Sequence, residues 1–244
     1  MTRPYTICHL LCSLDGKISG PFMGSPAAAT GREAYGRLAN DFQCQATVYG
    51  TTTMLDFCPG LYDGTDTAPI AEASAVTDPR TAEDFVADAD AASFIVSLDR
   101  RGRIAYSGPT MTRRGKTSHL IAALTRHASA DYLDYLRRTG VSYVFCGDDD
   151  INCAQFMEKL ASLFGVKRAL VAGGGRIDWS FLAAGCLDEV SLVVAPVVDA
   201  TPDAATTFER TDGHENDPAA PLVLTSTEDL GEGTLWLRYN VEAG

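Results

Sequence analysis

Two glycine- or threonine-rich turns following strand-like runs carry most of the chemistry this sequence offers. In the first, Ala169-Leu-Val-Ala-Gly-Gly-Gly-Arg-Ile-Asp178, a short apolar run meets three glycines and then a helical pattern closed by Gly185. Glycines let backbone approach a ligand closely, and the first N–H groups of a helix point outward unpaired. Gly173, Gly174 and Gly175, with Arg176 and Ile177, therefore make a candidate pocket for a pyrophosphate-like anion. The same run also reads as a tight strand-to-helix connection that binds nothing. In the second, Val48-Tyr-Gly-Thr-Thr-Thr53, Gly50 permits a turn, and Thr51 and Thr53 offer hydroxyl and N–H groups to phosphate or ribose oxygens. An ordinary threonine helix cap is the alternative.

Two further turns follow strands. Val96-Ser-Leu-Asp-Arg-Arg-Gly-Arg103 places three cations beside Asp99. Arginine forks match phosphate geometry, so Arg100 or Arg101 could select the 2′-phosphate of NADPH over NADH, against a plain solvated turn. Cys12-Ser-Leu-Asp-Gly-Lys-Ile18 has turn chemistry at Asp15-Gly16 and sets Lys17 just beyond a strand, where it could meet a polar substrate group. A structural turn explains the same residues.

Other chemistries lack their residues. Cys8-His9-Leu-Leu-Cys12 resembles a metal cluster, but strand alternation puts His9 on the face opposite both cysteines. His119, His127 and His214 have no ligand spacing, so no metal is expected. There is no H-x-E…P-C-x-x-C set for zinc deamination, no G-x-S-x-G nucleophile elbow and no G-x-G-x-x-G after the first strand.

The elements that must position these turns alternate. Strands are expected at Tyr5–Cys12, Cys44–Tyr49, Ser93–Leu98, Ser118–Leu124, Val141–Cys146, Ala169–Ala172 and Val190–Val198. Leu222–Ser226 and Leu235–Val241 read as an antiparallel hairpin. A capping box at Thr30–Glu33 predicts a helix through Ala34, Leu38 and Phe42. Ser129 caps Asp131–Arg138, which Gly140 ends, and a helical period from Ile151 to Phe164 stops at Gly165. Pro59–Asp90 reads as loop with a possible short helix at Ala82–Ala89, and Ala200–Pro221 as a mobile acidic insertion. The pattern predicts a single α/β domain over 1–244, with a mostly parallel sheet.

Bulk properties narrow the partners. The 244 residues are 45% hydrophobic and 21% charged, which suits a folded domain rather than a disordered chain. A net charge of −12 repels nucleic-acid phosphates and anionic membranes. The apolar start is too short and too soon followed by Asp15 and Lys17 for a signal peptide or membrane span. Seven scattered cysteines without a C-x-x-C pair fit a reducing, cytoplasmic setting.

Taken in order, Ser13-Leu-Asp-Gly-Lys17, Val48–Thr53, Phe94–Asp99, Gly173-Gly-Gly-Arg-Ile177, Ala184–Pro196 and Leu235-Trp-Leu-Arg-Tyr239 resemble the reductase domain of the bifunctional riboflavin-biosynthesis deaminase/reductase. That family belongs to the dihydrofolate-reductase-like superfamily, and the resemblance implies its three-layer fold, NADPH as hydride donor and a homodimer. It places Thr53, the Asp99–Arg100 turn and Gly174–Ser180 around the cofactor. It also implies that Lys17 faces the substrate. The expected mechanism sets Lys17, with Asp15, at the catalytic centre, a bound water being the alternative proton donor, and puts Ser13, Lys17 and Leu61 against a substrate between the Ser13–Lys17 turn and the Pro59–Asp66 loop. The sequence departs from the family pattern on the substrate side. Ala172 stands where the family carries Glu, Phe57 where it carries Asp, and Leu61-Tyr-Asp-Gly64 supplies no phosphate-binding Arg. The expected function is hydride transfer to a C=O or C=N group of a small pyrimidine- or pterin-like heterocycle. The alternatives are the riboflavin-pathway 5-amino-6-(5-phosphoribosylamino)uracil reductase itself and a non-catalytic NADPH-binding protein.

Overall fold

A computed structural model describes residues 3–64, 76, 78–210 and 216–242. His214, part of the acidic insertion, and residues 65–66 of the expected substrate loop lie outside the described residues. The chain divides into two compact units, Met1–Pro4 with Gln45–Lys167 and Tyr5–Cys44 with Arg168–Gly244.

The unit that holds the amino-terminal strand is built on β1 (Tyr5–Cys12), buried along all but its first residue. That continuous burial is what a strand flanked by parallel partners requires. β1 pairs in parallel with β9 (Arg168–Val171) and β10 (Glu189–Val194). β10 pairs antiparallel with β12 (Leu235–Val241), and β12 with β11 (Leu222–Asp229), so the expected hairpin forms the sheet's outer edge. Helix α1 (Ala29–Asp41) buries Ala34 and Leu38 against Leu11 and Val193. The capping box does not form. Two 3₁₀ turns at Pro21–Gly24 and Pro26–Ala28 wind the chain early, so α1 starts at Ala29 and Thr30 lies inside it. His9 is fully buried, with one ring nitrogen on Ser191 Oγ and the other on the Tyr35 carbonyl, both at 3.0 Å. Both nitrogens are committed to packing the strand.

The other unit centres on β2 (Ala46–Gly50), β4 (Phe94–Leu98), β7 (Lys116–Leu124) and β8 (Ser142–Phe145), each parallel to the next. Helix α2 (Thr51–Leu55) follows β2 directly. Three short strands escaped the sequence reading: β3 (Gly60–Leu61) pairs with β5 (Ile104–Ala105), and β6 (Thr110–Arg113) pairs antiparallel with β7. Helix α3 (Ala130–Thr139) begins where the Ser129 hydroxyl accepts the Tyr132 N–H and ends at Gly140, φ 74°. Helix α4 (Cys153–Phe164) is capped by Asn152 and stopped by left-handed Gly165. Ala82–Ala89 is not helical. Phe85 instead exchanges two backbone hydrogen bonds with Tyr143, and Asp84 accepts from the Phe145 N–H and from Lys159. Covering the open edge of β8 outweighs a weak local helical preference.

Candidate functional site

In the first unit, β9 delivers the glycine turn and β1 delivers the lysine turn. Gly173 and Gly174 have φ of 88° and 75°, conformations that favour glycine, and α5 (Gly175–Ala183) starts immediately after. The N–H groups of Gly175 and Arg176 have no partner among the described residues, as expected for a helix start. A side chain on Gly174 would meet open space. Arg176 is exposed and Ile177 half-buried, its N–H turned back to the Gly174 carbonyl. Gly175 is glycine for a different reason: a Cβ there would stand 2.2 Å from the Thr206 carbonyl oxygen. The close approach at that residue is made by the chain itself.

Past β1, the Ser13 N–H donates to the Lys17 carbonyl, while its hydroxyl donates to Asp15 and accepts from the Lys17 N–H. Ser13 is 1% exposed, so its polar atoms shape the turn. Asp15 accepts from the N–H groups of Asp199 and Ala200, and these donors hold its carboxyl far below the usual carboxylate range. Asp15 is an acceptor at every working pH and no source of protons. Lys17 Nζ donates to the carbonyl of Ala204 at 3.1 Å and reaches that of Pro202 at 3.5 Å.

These contacts correct the reading of the acidic insertion. Residues 199–210 form a strap over the turn rather than a mobile loop: Ile18 N–H donates to Ala205, Thr207 N–H to Gly16, and Glu209 N–H to Gly175. The local sequence looked polar and structureless because the strap's partners lie elsewhere in the chain, at Asp15–Ser19 and at Gly175.

Asp178, in the first turn of α5, was not singled out from sequence. It is fully buried, its oxygens find no full hydrogen-bond partner, and the Cys8 thiol is the polar group set against it. Burial pushes its pKa well above the ordinary value, and the nearby Glu209 carboxylate adds to the shift.

In the second unit, Gly50 adopts an ordinary extended conformation, φ −76°, so the turn does not need glycine. Thr51 is not a cap either; its hydroxyl donates to the Leu98 carbonyl at 2.8 Å and ties α2 to β4. Thr53 sits half-buried in the same short helix. Asp99 is fully buried, and its Oδ2 accepts the N–H groups of Arg103 and Ile104. Desolvation raises its pKa against the opposing pull of those donors. Asp99 therefore builds the turn that presents Arg100 and Arg101. Arg100 meets Asp150 at 3.1 Å with both side chains largely exposed, a pair of small net worth that a phosphate can displace. Arg101 is exposed. Leu61, on β3, is 59% exposed. Phe57 packs edge-on against Tyr49, with the Arg113 guanidinium 3.5 Å above its ring, so this position makes an aromatic contact rather than a polar one.

Known proteins resemble this chain in sequence and fold. The RibD C-terminal domain family model matches residues 4–236. A 2,5-diamino-6-ribosylamino-4(3H)-pyrimidinone 5′-phosphate reductase of Methanothermobacter thermautotrophicus is 25% identical over 98% of this chain and 99% of its own. Among solved structures, a pyrimidine reductase-like protein of Corynebacterium diphtheriae superposes with a TM-score of 0.67 at 15% identity, covering 99% of this chain and 93% of that one. RibD of Acinetobacter baumannii superposes with a TM-score of 0.61 at 18% identity, covering 98% of this chain and 58% of that one. The fold is α/β with a mostly parallel sheet, as the alternating pattern predicts, and is the dihydrofolate-reductase-like one that the resemblance implies. No helix among the described residues is long and apolar enough to cross a membrane. The chain belongs to the RibD C-terminal domain family, a family of reductases.

Proposed function

We propose that the chain works as one cytoplasmic reductase domain, 1–244, which uses NADPH to reduce a small pyrimidine-type heterocycle of the kind named for its Methanothermobacter relative. The observation that carries this reading is the pair of unpartnered N–H groups at the start of α5, beside the open face of Gly174. Such a helix start suits the cofactor pyrophosphate. In this proposal Gly173, Gly174, Gly175, Arg176 and Ile177 hold that group, with Gly50, Thr51, Thr53 and Asp99 shaping or lining the cofactor's contacts and Arg100 and Arg101 reading the 2′-phosphate. NADPH, when bound, supplies the hydride; the protein's share is orientation and exclusion of water. Ser13 and Asp15 act by shaping the turn that carries Lys17. Lys17 offers its ammonium to the substrate's polar edge or to the proton the reduction requires, and Leu61 offers apolar surface.

The cofactor reading is tested by calorimetry with NADPH and NADH on the wild type and on an Arg100→Ser, Arg101→Ser double variant. NADPH should bind more tightly to the wild type. The double variant should lose about tenfold or more in NADPH affinity, with NADH unchanged. Equal affinities of the wild type for the two cofactors would remove the arginines from this role.

A homodimer belongs to the same proposal. Strand β11 is exposed along nearly its whole length, with Val223 45% and Leu224 52% exposed, on a sheet edge that pairs with no further strand among the described residues. Edge strands that expose apolar side chains, as β11 does at Val223 and Leu224, are seldom left bare. Sedimentation should show a dimer at micromolar concentration and a monomer for Leu224→Lys; a monomeric wild type would contradict it.

A further inference from the structure

The strap at residues 199–210 packs on both turns to which the proposed function assigns ligands. Lys17 Nζ is taken up by strap carbonyls. The Gly175 carbonyl accepts the Glu209 N–H, and the Glu209 side chain lies against Gly175, its Cγ 3.0 Å from where a Cβ would be. That sets the Glu209 side chain against the first residue of α5, the helix end where anions are favoured. Its seat is fixed from within the strap, because Oε1 accepts the Thr206 N–H at 2.6 Å and the Thr206 hydroxyl at 3.3 Å. The far end is pinned by Asp15, which takes both the Asp199 and Ala200 N–H groups.

We propose that residues 201–210 form an autoinhibitory strap: Glu209 acts as an internal anion at the glycine turn, and the strap carbonyls occupy Lys17, so that an anionic ligand must lift the strap to bind. This rests on the NADPH reading above. Both halves of the competition are present in one segment. The carboxylate answers the helix end and the carbonyls answer the ammonium, so displacement by a phosphate-bearing ligand exchanges like for like. Most of the segment's ties are hydrogen bonds to the two turns, with Arg210 over the Trp179 ring at its far end and Phe208 only half-buried. Asp15, outside the segment that moves, serves as its hinge anchor.

The test is NADPH calorimetry at low salt on the wild type and on Glu209→Gln. The glutamine keeps the Oε1 acceptor for Thr206 and removes only the charge. Affinity should rise about tenfold, with the gain shrinking as salt is added, because the displaced term is electrostatic. Hydrogen exchange supplies the second readout: saturating NADPH should speed exchange at the Ile18, Thr207 and Glu209 amides. If the wild type binds NADPH and Glu209→Gln binds no more tightly, or those amides become better protected, the strap is a fixed wall and the proposal falls while the cofactor reading stands. If neither protein binds NADPH, the cofactor reading falls and takes the strap's role with it.

Discussion

Gly175→Ala should lower stability by about 2–3 kcal/mol, although the residue has no unusual backbone angle to lose. The added Cβ would stand 2.2 Å from the Thr206 carbonyl oxygen and 3.2 Å from the Glu209 nitrogen, and neither atom is the end of a flexible side chain. Either the start of α5 or the strap must move. The comparison is Gly165→Ala, where φ is 62° and a Cβ would meet nothing within 4 Å. That change carries only the left-handed backbone strain of about 1 kcal/mol. Urea unfolding of both variants checks the ordering. If alanine at 175 is tolerated as well as alanine at 165, the strap does not sit on the glycine turn.

Asp178 should make stability fall as pH rises. Its folded-state pKa lies well above the ordinary aspartate value, chiefly through desolvation. The folded protein therefore holds this proton where the unfolded chain has released it. The contribution is fully present below about pH 4 and is lost progressively as pH climbs toward the raised folded value. Within that window one linked proton changes stability by about 1.4 kcal/mol per pH unit. Asp178→Asn removes the titration, so its unfolding free energy should lack this downward slope above about pH 4. Parallel curves for wild type and variant would mean that Asp178 ionises freely in the folded state.

Legibility from sequence followed how local the deciding interaction is. β1 and β12 have the boundaries expected from their apolar runs, and the Ser129 and Gly140 signals mark α3 correctly, because each is settled within a few residues. The Thr30 capping box failed because two nearby prolines had already begun winding the chain. β3 and β5 are two residues each and carry no periodicity to detect. The β6–β7 hairpin turns at Arg114 and Gly115, both with positive φ, and an Arg-Gly pair lacks the Asn or Asp that usually announces such a loop.

Within the candidate site, the glycine turn, the lysine turn and the arginine turn were all legible as residue types at strand ends. Their detailed roles were not. Asp15 and Asp99 looked like groups for a ligand, but each spends its carboxylate on backbone N–H groups. Asp178 and Glu209, separated by thirty residues of chain, meet only through the strap's return to α5, and nothing local announces that. The departures at Ala172 and Phe57 were visible at once, and the packing of Phe57 between Tyr49 and Arg113 shows that an aromatic contact has replaced a polar one there.

The central claim is tested most directly by following NADPH oxidation when the purified protein is given 2,5-diamino-6-ribosylamino-4(3H)-pyrimidinone 5′-phosphate, with a panel of related pyrimidines and pterins beside it. The account predicts multiple turnovers on at least one of these heterocycles, faster with NADPH than with NADH. Binding of NADPH with no oxidation across the whole panel would contradict it and leave a nucleotide-binding protein without reductase activity.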